Sequence, residues 1–142
     1  MRNAILLLIC LTISSLSFAE HHKLVLKERQ PIAELELTSV TLEKNTSVIN
    51  AETQMGVYGR VYMTFILSSD PTNNSGTYSF EGRGYVDEET VFSGKGVGVW
   101  HREGPNLIMD QLINMSDGTV NFDRIVMNPL KRTATLAVYV LK

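Results

Sequence analysis

"FSGKGVGVWH", residues 92–101, sets three glycines, Gly94, Gly96 and Gly98, at every second position between Phe92 and Trp100. Successive side chains of a β-strand point to opposite faces, so a strand here has one face that is nearly bare between two aromatic rings. Glycine inside a strand weakens it, and marks a bulge, a bend or the close approach of another group. Two readings follow. The bare face can lie inside a barrel at a sharp bend, with side chains from opposite strands filling the space. Alternatively, it opens a ligand cavity walled by Phe92 and Trp100. Gly82 and Gly84 in "YSFEGRGYVDEE" repeat the habit one segment earlier and sharpen both readings equally.

Outward from this stretch, short alternating apolar segments recur with turn chemistry between them, and no long window has helical periodicity. Strands are expected near Ala33–Leu42, Gly56–Leu67, Thr77–Val86, Thr90–His101, Asn106–Met115, Thr119–Met127 and Thr133–Leu141, with a further short one at Lys23–Lys27. Ser69 to Gly76 reads as a loop, Asp87-Glu88-Glu89 and Gly104-Pro105 as tight turns, and Asn128-Pro129 as the last connection. Asp117-Gly118 is the strongest hairpin signal, because glycine permits the positive φ that a primed turn demands. Five short connections in succession make neighbouring strands antiparallel. The fold class is therefore all-β, an antiparallel up-and-down meander closed into a seven- or eight-stranded barrel, since closure removes both edges. A two-layer sandwich is the alternative, but its Greek-key crossovers need longer connections.

Residues 1–19 differ from the rest: Arg2, then the apolar run Ala4 to Leu11, then small polar residues ending in Ser17-Phe18-Ala19. This is the pattern of a signal peptide cleaved before Glu20, and the apolar run is short for a membrane span. The expected mature chain is one domain, residues 20–142, secreted or periplasmic and without a stable membrane anchor. Cys10 is the only cysteine, so cleavage leaves no thiol, disulfide or thiolate metal site. A formal net charge of −2 with no basic run argues against nucleic acid as a partner. No cofactor is expected.

The pair "FEGRGYVDEE" and "FSGKGVGVWHREG", on consecutive strands of a secreted meander, resembles the small barrels of the allene oxide cyclases and plant dirigent proteins, with their bacterial relatives. The resemblance covers roughly residues 56–141 and implies an eight-stranded barrel with an apolar cavity, often assembled as a trimer or dimer. It transfers no activity. The Gly-Gly-Thr-Gly type of turn common in that group is replaced here by "SGKGVGVWHREGPN", and no position matches its catalytic acids.

Few polar residues are candidates for chemistry. Arg60 shares a face with Tyr58 and Tyr62, while Val57, Val61, Met63 and Phe65 form the other. The first set reads as a solvated outer face on which Tyr and Arg stack. Turned inward, it becomes a clamp for a carboxylate or phenolic ligand. His101, the only histidine in the folded region, reads as an ordinary polar group, and Asp110, Asp123 and Arg124 as solvent-facing or paired across strands. Cleavage after Ala19 leaves Glu20-His21-His22 at the new terminus, where the amine, two backbone nitrogens and His22 suit Cu(II) or Ni(II). The competing reading is a plain polar tail.

The leading expectation is a non-catalytic barrel that binds a small apolar or amphipathic molecule through Phe92, Gly94, Gly96, Gly98, Trp100, Arg60, Tyr58 and Tyr62. One alternative is a cyclase- or isomerase-like enzyme in which Arg60, Glu81 or His101 converge inside and assist. The other is a filled barrel serving as a structural or interaction module, with homo-oligomer formation left open.

Overall fold

The computed structural model describes residues 24–141. The expected signal segment and the Glu20, His21, His22 motif lie outside the described residues. Among the described residues nine strands form: β1 (Leu26–Glu28), β2 (Ala33–Leu42), β3 (Thr46–Met55), β4 (Gly59–Ser69), β5 (Ser75–Tyr85), β6 (Val91–Glu103), β7 (Asn106–Met115), β8 (Val120–Asn128) and β9 (Thr133–Leu141). Strands β2 to β9 pair antiparallel in chain order, and β9 returns to β2 through Ala33–Glu36 against Thr133–Leu136, which closes an eight-stranded barrel. The sandwich alternative is thereby excluded. Strand β1 stands outside the ring and continues along the edge of β9 that β2 leaves free, Leu26 opposite Leu141.

Turn chemistry explains why the meander runs as it does. Gly104 takes φ 58° at the first central position of the β6–β7 turn, and Pro105 fits the second, as a type II′ hairpin requires. Asp117-Gly118 does make a hairpin, but not a two-residue primed one. Only Gly118 has positive φ, 83°, and its N–H donates to the Met115 carbonyl at 3.0 Å, the pattern of a three-residue loop ending in a left-handed glycine. Between β5 and β6 the Asp87 carboxylate accepts the Glu89 and Thr90 backbone N–H groups at 2.9 and 2.7 Å.

Two elements differ from expectation. Strand β3 was not anticipated, because its inward residues Ile49, Ala51, Thr53 and Met55 include two of weak hydrophobicity. The segment expected to begin a strand at Gly56 instead opens with a 3₁₀ turn, Gly56–Tyr58, flanked by Gly56 and Gly59 at φ 31° and 67°. That turn reverses the phase, so Tyr58 is buried and Val57 is exposed. Tyr58 therefore does not share a face with Arg60 and Tyr62.

The bare face of β6 does point inward, and most of it is filled. A Cβ on Gly98 would collide with the Asp110 carbonyl and lie 2.6 Å from the Tyr78 ring; one on Gly94 would lie 2.8 Å from Ile113. On β5, a Cβ on Gly82 would come within 2.7 Å of the Phe80 ring. The glycines admit these large side chains, which is the curvature-and-filling reading over most of the strand. Gly98→Ala is expected to destabilise the protein by about 1–3 kcal/mol in urea unfolding, as overpacking does, while Val97→Ala on the outer face stays within about 1 kcal/mol. An unchanged Gly98→Ala midpoint would contradict the filling of that face.

Candidate functional site

One end of the barrel, formed by the 3₁₀ turn and the β5–β6 and β7–β8 connections, is capped by three side chains. Tyr58 packs edge-on against half-buried Phe92, centroids 5.6 Å apart at 80°. The Arg29 guanidinium lies 5.2 Å from the Tyr58 ring centroid and donates to Thr119 Oγ1, Asn121 Oδ1 and Asp117 Oδ2 at 2.8, 3.2 and 2.9 Å. Asn121 Nδ2 in turn donates to the Tyr58 hydroxyl at 2.9 Å. Burial raises the Tyr58 phenol above its usual range, against the Asn121 hydrogen bond and the Arg29 charge.

Beneath this cap lies a cavity of about 40 Å³. That is room for a few water-sized atoms and well below the roughly 300 Å³ at which ordinary ligand pockets begin. Its walls include Met55, Met63, Met115, Phe80 and Ile113, and Asp123 is the one carboxyl among its lining residues.

Asp123 is 3% exposed. Its Oδ2 accepts a long hydrogen bond of 3.4 Å from Gln111 Nε2, and its Oδ1 has no partner. The Gln111 Oε1 and Tyr78 hydroxyl are also buried without partners. The ladder sets these residues in one layer, Asp123 opposite Gln111, Gln111 opposite Gly98, and Gly98 opposite Tyr78. Each such buried group costs about 1–3 kcal/mol when unpaired, and calls for an explanation. Burial pushes the Asp123 carboxyl up to about 7, opposed by the Gln111 hydrogen bond and the Arg29 charge. Burial, then the charges of Asp123 and Asp110, also raise the Tyr78 phenol. Gln30, packed against Gly56, is a further buried amide without partners, outside the cavity lining.

Of the residues anticipated for a ligand, the structure brings Phe92, Gly94 and Tyr58 to the cavity. Gly96 and Gly98 lie under Ile113 and Tyr78, and Trp100 packs toward the other end with its indole N–H donating to the Ser68 carbonyl at 3.1 Å. Arg60 and Tyr62 are on the outer face: Arg60 pairs with Glu52 at 2.5 Å and lies 5.9 Å from the Tyr62 ring centroid. Glu81 pairs with Lys95 at 2.8 Å and His101 with Glu103 at 2.9 Å, all exposed, so Arg60, Glu81 and His101 do not converge inside. Asp110 and Arg124 pair across strands as expected, two contacts of 2.7 Å. Asp123 does not face solvent, which corrects that part of the expectation. Among the described residues no group of three or more His, Cys, Asp or Glu comes together to hold a metal ion.

Asp123 gives stability a pH dependence of defined sign. The folded chain keeps its proton up to about pH 7, whereas the unfolded chain releases it near about pH 3.9. Between these values the folded state binds the extra proton, so this contribution is present at low pH and is lost as pH rises through about 7. Relative to Asp123→Asn, wild-type stability should fall by a few kcal/mol, on the order of the shift, between about pH 4 and about pH 8. Urea midpoints across that range check it; parallel curves for the two proteins would contradict the buried carboxyl.

No protein-family model, curated protein or solved structure matches the chain, so the use of this site has to be argued from its own geometry and chemistry.

Proposed function

We propose that the protein is an exported β-barrel that binds a small amphipathic molecule, without catalysis, at the capped end of its interior. The observation that carries this reading is the set of unpartnered polar atoms on Asp123, Gln111 and Tyr78 in an otherwise apolar barrel, with Asp123 bordering a cavity. A polar head placed there would supply the missing hydrogen bonds. The apolar body would run against Phe80, Ile113 and the methionines, whose flexible thioether chains repack readily to enlarge a small space. Entry requires the Tyr58–Phe92 pair to part, and Phe92 is already half-buried rather than enclosed. The kinship with the allene oxide cyclase and dirigent barrels belongs to this proposal and rests on the glycine-rich β5–β6 pair. The outward placement of Arg60, Glu81 and His101 weighs against the cyclase-like alternative in the form anticipated.

A second reading, an interaction module, is favoured by one observation. Ile66, Val97, Leu112 and Phe122 stand in one row across the outer face, beside a shallow depression, and Val97 is 68% exposed. A Val97→Glu change that turns an assembled wild-type protein into monomers in sedimentation velocity would support it. A wild-type protein that is monomeric at every concentration would remove it.

Native mass spectrometry of the protein from its own source tests the binding proposal. A reproducible excess mass, released by denaturation, is expected from the wild-type protein and absent when the cavity is filled by Gly94→Leu in a chain that still folds. A clean apo mass in the wild type would contradict it.

A further inference from the structure

The chemistry of the buried polar atoms at and beside the cavity, of which Asp123 lines it and Gln111 and Tyr78 stand in the adjoining layer, narrows the class of molecule further, on the premise that the capped end is a ligand site. Asn121 is already committed, its amide donating to Tyr58 and accepting from Arg29. Arg29 is committed to Asp117, Thr119 and Asn121 at the cap. What remains without a partner is Asp123 Oδ1, Gln111 Oε1 and the Tyr78 hydroxyl. The first two accept hydrogen bonds when Asp123 is ionised, and the hydroxyl brings one proton. The inventory is short of donors. If Tyr78 gave its proton to either oxygen, the other would still be bare.

We infer that the cavity selects a small amine in its ammonium form, carried on a short apolar body, with its N–H groups on Asp123 Oδ1 and Gln111 Oε1. An ammonium supplies three donors and the positive charge that a buried carboxylate otherwise lacks. An alcohol supplies one donor and no charge. A carboxylate supplies neither, and meets Asp123 as a like charge. The surrounding rings of Tyr58, Phe80 and Phe92 tolerate a cation, because aromatic faces carry negative potential. Of the competing positive charges, Arg29 is offset by its ion pair with Asp117 at 2.9 Å, and the cavity-lining Arg83 is an exposed residue.

The arrangement also links the ligand to pH. With Asp123 protonated, its own O–H adds the missing donor, and the three residues have protons enough to satisfy one another. Ionisation creates the demand for an external donor. The charged or titratable groups that bear on this site are Arg29 from the β1–β2 link, Tyr58 from the 3₁₀ turn, Tyr78 and the cavity-lining Arg83 from β5, Asp110 from β7 and Asp117 from the β7–β8 turn; Gln111 on β7 and Val138 on β9 add no charge. An ammonium bound beside Asp123 stabilises the ionised form and lowers the carboxyl's titration midpoint.

The test uses three probes with short alkyl bodies, butylamine, butan-1-ol and butanoate, titrated into the folded protein at about pH 8 and followed by amide NMR shifts. Butylamine should bind about tenfold or more tighter than butan-1-ol, as a charge-assisted hydrogen bond implies. Butanoate should leave the cavity residues unmoved. Asp123→Asn should bring butylamine down to the level of butan-1-ol, and the ¹³C titration of the wild-type Asp123 carboxyl should shift to lower pH with butylamine bound. Asp123→Leu provides a second chain lacking the charge, should the first fold poorly. Equal binding of all three probes, or a preference that survives Asp123→Asn, would overturn the amine class while leaving a ligand site standing. No shift with any probe, together with a clean apo mass from the source, would overturn both.

Discussion

An eight-stranded barrel is just wide enough for its own inward side chains to fill, so a large ring admitted on one strand needs a missing side chain on a neighbour. Here Tyr58, Phe65, Tyr78, Phe80 and Trp100 all point into the interior. What makes room for them is the run of inward glycines on two adjacent strands, Gly76, Gly82 and Gly84 on β5 and Gly94, Gly96 and Gly98 on β6. The same complementarity fixes register. A slip of one residue on β6 would turn Lys95, Val97 and Val99 inward against rings that already occupy the space.

This filling is uneven along the barrel axis, and that unevenness positions the candidate site. Toward the Trp100 end the glycines are covered and the indole N–H has its partner at the Ser68 carbonyl. Toward the Phe92 end two glycines coincide, Gly82 opposite Gly94, and the space beside them is left as the cavity. Between the two lies the layer of Tyr78, Gly98, Gln111 and Asp123. Polar atoms there are cut off from water by the barrel wall and from each other's full hydrogen-bonding capacity, which is why Asp123 gives up its charge so readily.

Much of the architecture was legible because it depends on local chemistry. The strands from Thr77 to Leu141 and the positions of the Asp87, Gly104 and Asp117-Gly118 turns follow from alternation and turn residues alone. The inward direction of Gly94, Gly96 and Gly98 and the outer stacking of Arg60 on Tyr62 were also available as readings. Three features were not, because alternation alone does not record them. Strand β3 hides its core face behind Ala51 and Thr53. Tyr58 changes face through a single turn set by Gly56 and Gly59, which alternation cannot register. On β8, Val120, Phe122 and Val126 are as apolar as Ile125 and Met127, so parity could not say that Asn121 and Asp123 point inward. The partner of Asn121, Arg29, is some ninety residues away in sequence and is brought near only by closure of β9 on β1 and β2.

Asp123, Gln111 and Tyr78 each keep one unpaired polar atom inside the barrel, and on the binding proposal an external group completes them. A crystal structure of the protein isolated from its own source, at about pH 8 and at a resolution that separates water from larger molecules, tests it most directly. Elongated density is expected beneath the Tyr58–Phe92 pair, with its polar end within hydrogen-bonding distance of Asp123 Oδ1 and Gln111 Oε1. A Tyr78 hydroxyl bonded directly to Asp123, with the cavity dry or holding a lone water, would contradict it.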